Sequence, residues 1–253
     1  MTEAATPGRP RLRWLPARIV AIRDETPTIR TLELEVPGWP GHRAGQHVDV
    51  RLTAADGYQA QRSYSIASPP EADAVALTVE RVPDGEVSGW LAAEARAGDV
   101  FDLRGPIGGY FVWHAGQPGR LQLIAGGSGA VPLLAMLRHR VAAGGRQPVR
   151  VLYSARTIDD VIARAELDGL AARDDDVAVT YTLTRAAPQG WWGPTRRVDT
   201  AMLREVLWPG DVNVTTFVCG PTPFVESVAT GLIALSHAPD RVRTERFGPT
   251  GGP

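Results

Sequence analysis

Hydrophobic spacing divides the chain into two stretches built on different periods. Up to about residue 113, short apolar runs alternate with turn signals. In "TLELEV", Leu32, Leu34 and Val36 alternate with Thr31, Glu33 and Glu35, and "HVDVRL" alternates in the same way. A period of two marks strands with one buried face. Many such strands separated by glycine and proline predict an antiparallel barrel, interrupted by one helix around "VSGWLAAEA". After "HAGQPGR" the spacing changes. "LQLIA", "VRVLYSA", "VAVTYTL" and "TTFVCG" are nearly continuous apolar runs, separated by helical stretches such as "AVPLLAMLRHRVAA" and "PFVESVATGLIALS". Buried strands alternating with helices predict a parallel α/β sheet. The fold class is therefore β followed by α/β. The boundary falls near Gln117–Gly119, giving domains of residues 12–116 and 117–253. No internal repeat or low-complexity segment interrupts this division.

Composition narrows the functional classes. The 253 residues are 43% hydrophobic and 22% charged, with a net charge of −1, so bulk charge gives no pull toward nucleic acid or anionic membrane. No apolar run approaches the roughly 20 residues of a membrane helix. The start, "MTEAATPGRPRLR", is polar and reads as a frayed arm, not a signal peptide. The single cysteine, Cys219, excludes a disulfide framework or a four-cysteine iron–sulfur cluster within this chain. The five histidines match no metal-ligand spacing, so no metal is expected. A cytoplasmic, monomeric protein is the expectation.

Within the first half, "QRSYSIAS" (61–68) carries unusual polarity for a strand. On residue types alone it is an edge strand with a surface arginine. In the second half, "LIAGGSGAVPLL" ends a strand, clusters three glycines and begins a helix. Gly126, Gly127 and Gly129 permit a tight turn and close backbone approach to a ligand. Pro132 fits the first helical turn, and free N–H groups there suit a phosphate. The spacing departs from G-x-G-x-x-G, because Pro132 stands where the third glycine would be. The same residues nearly match the G-x-S-x-G nucleophile elbow, which would make the chain a hydrolase using Ser128, His237 and Asp211. The barrel-like first half argues against that reading.

Taken together, the two halves resemble the ferredoxin–NADP reductase superfamily. Arg62-Ser63-Tyr64-Ser65 matches its R-x-Y-S motif. Gly85-Glu86-Val87-Ser88 resembles its G-x-x-S flavin-diphosphate motif, and "GPIGGYF" the segment closing its flavin barrel. "GGSGAVP", "YSAR" and "CGPTPFVE" resemble its pyridine-nucleotide half. The six motifs stand in family order across residues 14–247. The resemblance implies a flavin barrel followed by a nucleotide domain, and hydride transfer from NAD(P)H to FAD. Electrons would then pass to a separate acceptor: a ferredoxin, a flavodoxin, a haem or molybdopterin oxidoreductase, or free flavin.

The resemblance also implies roles for individual residues. Arg62 pairs with the flavin diphosphate, for which a guanidinium offers fixed paired donors. Tyr64 lies against the isoalloxazine, and Ser65 bonds near flavin N5. Strand alternation puts Arg62 and Tyr64 on one face and Ser65 on the other, so Ser65 needs a bend or its backbone N–H. Ser88 is also a candidate helix N-cap. FAD is favoured over FMN by the helix after Gly85. Gly127, Ser128 and Gly129 face the nucleotide phosphates. Ser154, Arg156, Arg185 and Arg197 (or Arg196) stand where an NAD site usually offers an acid to the ribose, which favours NADPH. Cys219, with Gly220 and Pro221, approaches the nicotinamide; a lone cysteine after a strand is otherwise a small buried hydrophobe. Glu245 or Phe247 reaches the flavin–nicotinamide contact, or both lie in a surface tail. The tryptophans, Trp191-Trp192 included, are expected in the core or an interface.

Overall fold

The computed structural model describes residues 12–210 and 212–248. The N-terminal arm up to residue 11, Asp211 and the glycine- and proline-rich end (249–253) lie outside the described residues. The first half is a six-stranded antiparallel sheet built from β1 (Trp14–Thr26), β2 (Ile29–Glu35), β3 (His47–Thr53), β4 (Gln59–Ser65), β5 (Val75–Glu80) and β6 (Val100–Ile107). Its spatial order is β4-β3-β6-β1-β2-β5. The alternation seen in the sequence becomes burial. Leu32 and Leu34 are fully buried while Glu33 and Glu35 face solvent. Each leucine contributes roughly 2 kcal/mol by leaving water. Val48, Val50, Leu77 and Leu103 join them in the barrel core. The strands at the two edges, β4 and β5, meet through one backbone bridge among the described residues, Ile66 to Leu77. The expected helix is shorter than its sequence suggested. α1 (Glu86–Gly89) gives way to a π-helical turn over Trp90–Glu94, which seats Leu91 and Ala92 in the core.

The second half is a five-stranded parallel sheet of β7 (Arg120–Gly126), β8 (Val149–Ala155), β9 (Val177–Leu183), β10 (Val214–Pro221) and β11 (Val242–Phe247), in the order β11-β10-β7-β8-β9. Helices cover both faces. α2 (Ala130–Ala142) and α3 (Arg164–Arg173) pack on the face that carries Leu123, Tyr153 and Phe217. α4 (Thr200–Val206) and α5 (Thr222–Ala234) pack on the face of Ile124, Leu152 and Val218. Strand order reverses between β7 and β10. In open α/β sheets, ligands bind in the crevice at the carboxyl ends of the strands flanking such a reversal.

The two halves are tied at several points. Arg138 on α2 donates to the Ala67 carbonyl at 2.7 Å, and His139 Nδ1 lies 2.7 Å from Glu71. Arg243 on β11 donates to the Val112 carbonyl at 2.7 Å. Ala44, Ala67, Phe111 and Trp113 from the barrel side share one core with α2. Gly45 sits in this seam at φ +97°, a left-handed conformation that disfavours any side chain. A β-carbon there would overlap the Phe111 carbonyl and the Met136 methyl. Gly45→Ala is expected to cost about 2 kcal/mol or more. Urea unfolding measures this, and an unchanged midpoint would contradict the packing described.

Candidate functional site

β4 bonds only to β3, so one of its edges is free. Its register sets Tyr64 opposite Val48 and Arg62 opposite Val50, both buried in the barrel. Tyr64 and Arg62 therefore share the inward face, beside the free edge. Tyr64 packs against the barrel core, and burial pushes its phenol well above the ordinary value. Arg62 is exposed, and its Nη1 donates to the neighbouring Gln61 carbonyl at 2.7 Å. Among the described residues, no carboxylate pairs with it. A guanidinium beside a free edge and an aromatic plate suits an anionic, planar ligand.

Ser63 and Ser65 point the other way, opposite Asp49 and His47. Ser63 Oγ donates to Asp49 Oδ1 at 2.7 Å, and Arg104 donates to the other oxygen at 2.7 Å. Those bonds hold the Asp49 carboxyl below its usual range against the opposing effect of burial. Ser63 is thus occupied in bracing the strand.

The Gly85–Ser88 turn differs in detail from expectation. Gly85, not Ser88, is the helix N-cap, and Ser88 is the third residue inside. Ser88 Oγ accepts from the Val82 N–H at 3.3 Å and lies 3.4 Å from the Gly85 carbonyl. It clamps its own turn. Val87 is buried and Glu86 exposed.

At the other wall of the cleft, Gly127 takes φ +56°, the left-handed turn that the glycine run anticipated. Gly129 lets the start of α2 lie directly on β10, since a β-carbon there would overlap the Cys219 carbonyl. Phe224 covers Gly126 and Gly220 and would collide with a side chain at either. The glycine turn and the Cys219-Gly220-Pro221 end thus meet at the strand-order reversal. The hydrolase alternative fails here. Ser128 lies at the carboxyl end of β7, whereas His237 follows the far end of α5, a helix roughly 20 Å long. The left-handed φ of a strained elbow belongs to Gly127 and not to Ser128.

β11 brings Glu245 into register with Cys219, and Phe247, 36% exposed, into register with Pro221. Glu245 Oε1 is 3.8 Å from Nδ1 of His47, and Oε2 is buried with no partner. Ser65, His47, Glu245 and Cys219 therefore form a line across the cleft from barrel to nucleotide sheet. Sequence reasoning missed His47. Burial lowers its pKa against the pull of Asp49 and raises that of Glu245 to about 7. Burial thus favours the uncharged form of both groups, and the contact is not a fixed ion pair. Burial, followed by the Glu245 charge, raises the Cys219 thiol well above its ordinary value, so it stays protonated.

The predicted arginines stand at the carboxyl ends of β8 and β9. The Arg156 carbonyl accepts from the Arg185 N–H at 2.9 Å, which sets the two residues side by side. Arg156, Arg185 and Arg197 are exposed, and none makes an ion pair among the described residues. Arg196 is engaged by Asp199 at 3.1 Å and Glu205 at 3.4 Å. Ser154 ends β8 opposite Gly126, half-buried. Trp191 is half-buried and Trp192 is 97% exposed, so of the two expected places, core or interface, the core is excluded for Trp192.

The raised Glu245 pKa has a defined sign in stability. The folded state binds a proton that the unfolded chain releases near pH 4.5, so folding carries a penalty that grows from there to about pH 7. Glu245→Gln removes it. The variant is expected to gain on the order of 2 kcal/mol over wild type at pH 8, and almost nothing at pH 4.5. Thermal melts at the two pH values measure the difference, and an equal effect at both would refute a raised pKa.

Residues 16–112 match the family model for an oxidoreductase FAD-binding domain, and residues 123–230 that for an oxidoreductase NAD-binding domain. The glycine betaine monooxygenase reductase subunit of Chromohalobacter salexigens is 30% identical over 92% of this chain and 64% of its own length. NADH-cytochrome b5 reductase 1 of Neosartorya fischeri is 31% identical over 78% of this chain and 65% of its own length. The chain thus spans just under two thirds of these curated relatives. The crystal structure of the Amycolatopsis cytochrome P450 reductase GcoB superposes with a TM-score of 0.80 at 26% identity, covering 95% of this chain and 71% of that one. With both domains matched in order and a cleft between them built as described, the chain belongs to the ferredoxin–NADP reductase superfamily of FAD- and NAD-binding oxidoreductases.

Proposed function

We propose that the protein takes hydride from NAD(P)H onto FAD and passes the electrons to a separate acceptor protein. The observation that carries this reading is the line Ser65–His47–Glu245–Cys219, which links the flavin edge to the nucleotide crevice. FAD fits the residues present: an arginine without a carboxylate, an aromatic plate and a free strand edge. When bound, FAD supplies a two-electron acceptor that can release its electrons singly. Arg62 would hold its diphosphate, with the Gly85–Ser88 turn beside it. Tyr64 would support the ring, and Ser65 would offer a hydroxyl or backbone N–H near its N5. Cys219, a protonated thiol in a tight glycine-lined turn, orients the nicotinamide and does no nucleophilic chemistry. His47 Nδ1 and the Glu245 carboxyl hold the proton that accompanies the electrons, with Phe247 at the rim of the cleft.

The nucleotide is NADPH in this reading. Arg156, Arg185 and Arg197 are three exposed cations where a ribose phosphate would lie, and charge-assisted bonds favour it. Gly127, Ser128 and Gly129 line the diphosphate side, and Ser154 stands at the ribose. The acceptor is a haem protein or an oxygenase, as the names of the relatives suggest. The site of action is the cytoplasm, where a single free cysteine is at home, with the chain acting as a monomer.

The test is spectroscopic. The purified protein should be yellow, or become so with FAD, and anaerobic NADPH should bleach it faster than NADH. A protein that gains no flavin would overturn the proposal. A yellow protein that neither nucleotide bleaches would reduce the chain to a flavin-binding module. Arg156→Ala should raise KM for NADPH roughly tenfold or more while NADH changes less than about twofold. An equal effect on both would remove Arg156 from phosphate recognition. Ser65→Ala should slow flavin reduction in stopped flow by about 10- to 100-fold, with nucleotide affinity retained. An unchanged rate would exclude the hydroxyl and leave the backbone N–H.

A further inference from the structure

Ala67 lies where the two edges of the barrel meet, and its carbonyl finds its partner in the other half of the molecule. In an antiparallel pair, residues alternate between those that exchange backbone hydrogen bonds and those that do not. The Ile66 N–H donates to the Gln46 carbonyl at 3.0 Å, one place past the Ser65–His47 pair. Ser65 and His47 therefore exchange no backbone bonds, and the Ser65 N–H points away from β3, toward the free edge. Beyond the Ile66–Leu77 bridge, the next rung between the edges is Ala67 with Ala76, and it is half made. The Ala67 N–H donates to the Ala76 carbonyl at 2.7 Å, but the Ala76 N–H donates to Ser68 Oγ at 3.0 Å. The carbonyl of Ala67, a fully buried residue, thus lacks its ladder partner and needs another donor. Arg138 Nη1 supplies it at 2.7 Å.

The guanidinium is aimed. Its Nε and Nη2 form a two-pronged pair with Glu166 on α3, at 2.9 and 2.6 Å. That fork fixes the plane of the group and points the remaining nitrogen at Ala67. Arg138 lies on α2, about 12 Å along the axis from the helix start at the glycine turn. One helix thus carries the glycine turn at one end and grips the strand two residues past Ser65 further along. We propose that Arg138 is a positioning residue for flavin reduction: it completes the rung that ends β4 and so fixes Ser65 relative to the nucleotide wall. This role rests on the reductase reading above and works through the backbone, since each guanidinium nitrogen of Arg138 is engaged by the protein. Two other ties hold the loop beyond the rung. His42 Nε2 lies 3.0 Å from the Ser68 carbonyl, and His139 meets Glu71. They keep the segment docked when the rung itself loosens.

The first measurement uses the full chain without flavin. Hydrogen–deuterium exchange across residues 62–67 should speed up about tenfold in Arg138→Met, with β3 at the wild-type rate. His139→Gln, which cuts a neighbouring tie, should leave both segments unaltered. The second measurement loads the same proteins with FAD and follows flavin reduction in stopped flow. Arg138→Met should lower the limiting rate about tenfold, with the dissociation constants for FAD and nucleotide within about twofold of wild type. Glu166→Gln, which keeps the arginine but loosens its aim, should lower the rate about threefold. His139→Gln should retain the wild-type rate. An Arg138→Met protein that melts lower yet reduces its flavin at the wild-type rate would make Arg138 a structural tie only, and so would equal slowing by His139→Gln. If Arg138→Met does not fold, Glu166→Gln decides, and an unchanged limiting rate there overturns the role. If neither nucleotide reduces the wild-type flavin, the reductase reading fails and this role with it. Equal rates in wild type and Arg138→Met overturn this role alone.

Discussion

The backbone bridge between Ile66 and Leu77 is where the two edges of the barrel touch. Below it the edges part, because β4 pairs with β3 alone and β5 with β2 alone. An open strand edge is ordinarily a liability, since its unpaired N–H and C=O groups invite other chains. Here the polar residues along the edge and the α1 turn beside it blunt that risk, and the wedge between the edges becomes a place for a cofactor. Closing the barrel would give the sheet its last ladder and, in the function proposed, remove Arg62 and Tyr64 from the flavin.

The second constraint is proximity between backbones. Gly129 lets α2 begin on top of Cys219, and Gly45 lets the barrel seam close over Met136. Gly45 sets the distance between the barrel and α2, and Gly129 the distance between α2 and β10 within the second half. The ties from Arg138, His139 and Arg243 then hold the orientation. With walls so placed, Glu245 can come from the last strand and still meet a histidine from β3. Its unpartnered oxygen would cost folding energy in any protein that did not use it.

Much of this was legible in the sequence. Period-two runs gave β2 and β3, apolar runs gave the parallel sheet, and the glycine turn fell between β7 and α2. Arg62, Tyr64, Cys219 and Glu245 were singled out; the first two share one face of β4, and the last two stand in register on β10 and β11. The rest depended on contacts that no local pattern encodes. Ser88 looked like a cap because serine favours caps, yet the helix is capped three residues earlier, at Gly85. Trp192 was expected in the core or an interface, and residue type alone did not say that it stands exposed. His47 was within reach, however. The β3–β4 hairpin turns about Asp56, and counting outward nine residues each way pairs His47 with Ser65. The raised pKa of Glu245 was out of reach, because it arises from burial in the folded protein, which no local pattern encodes.

Ser63 has one more consequence. With Asp49 and Arg104 it braces the back of β4, so the front of the strand is held in shape although its outer edge has no neighbour. A surface braced in this way does not have to be ordered when a ligand arrives. In the function proposed, cofactor loading is docking onto a finished template, and the entropic cost of shaping that template falls on the folding of the chain itself.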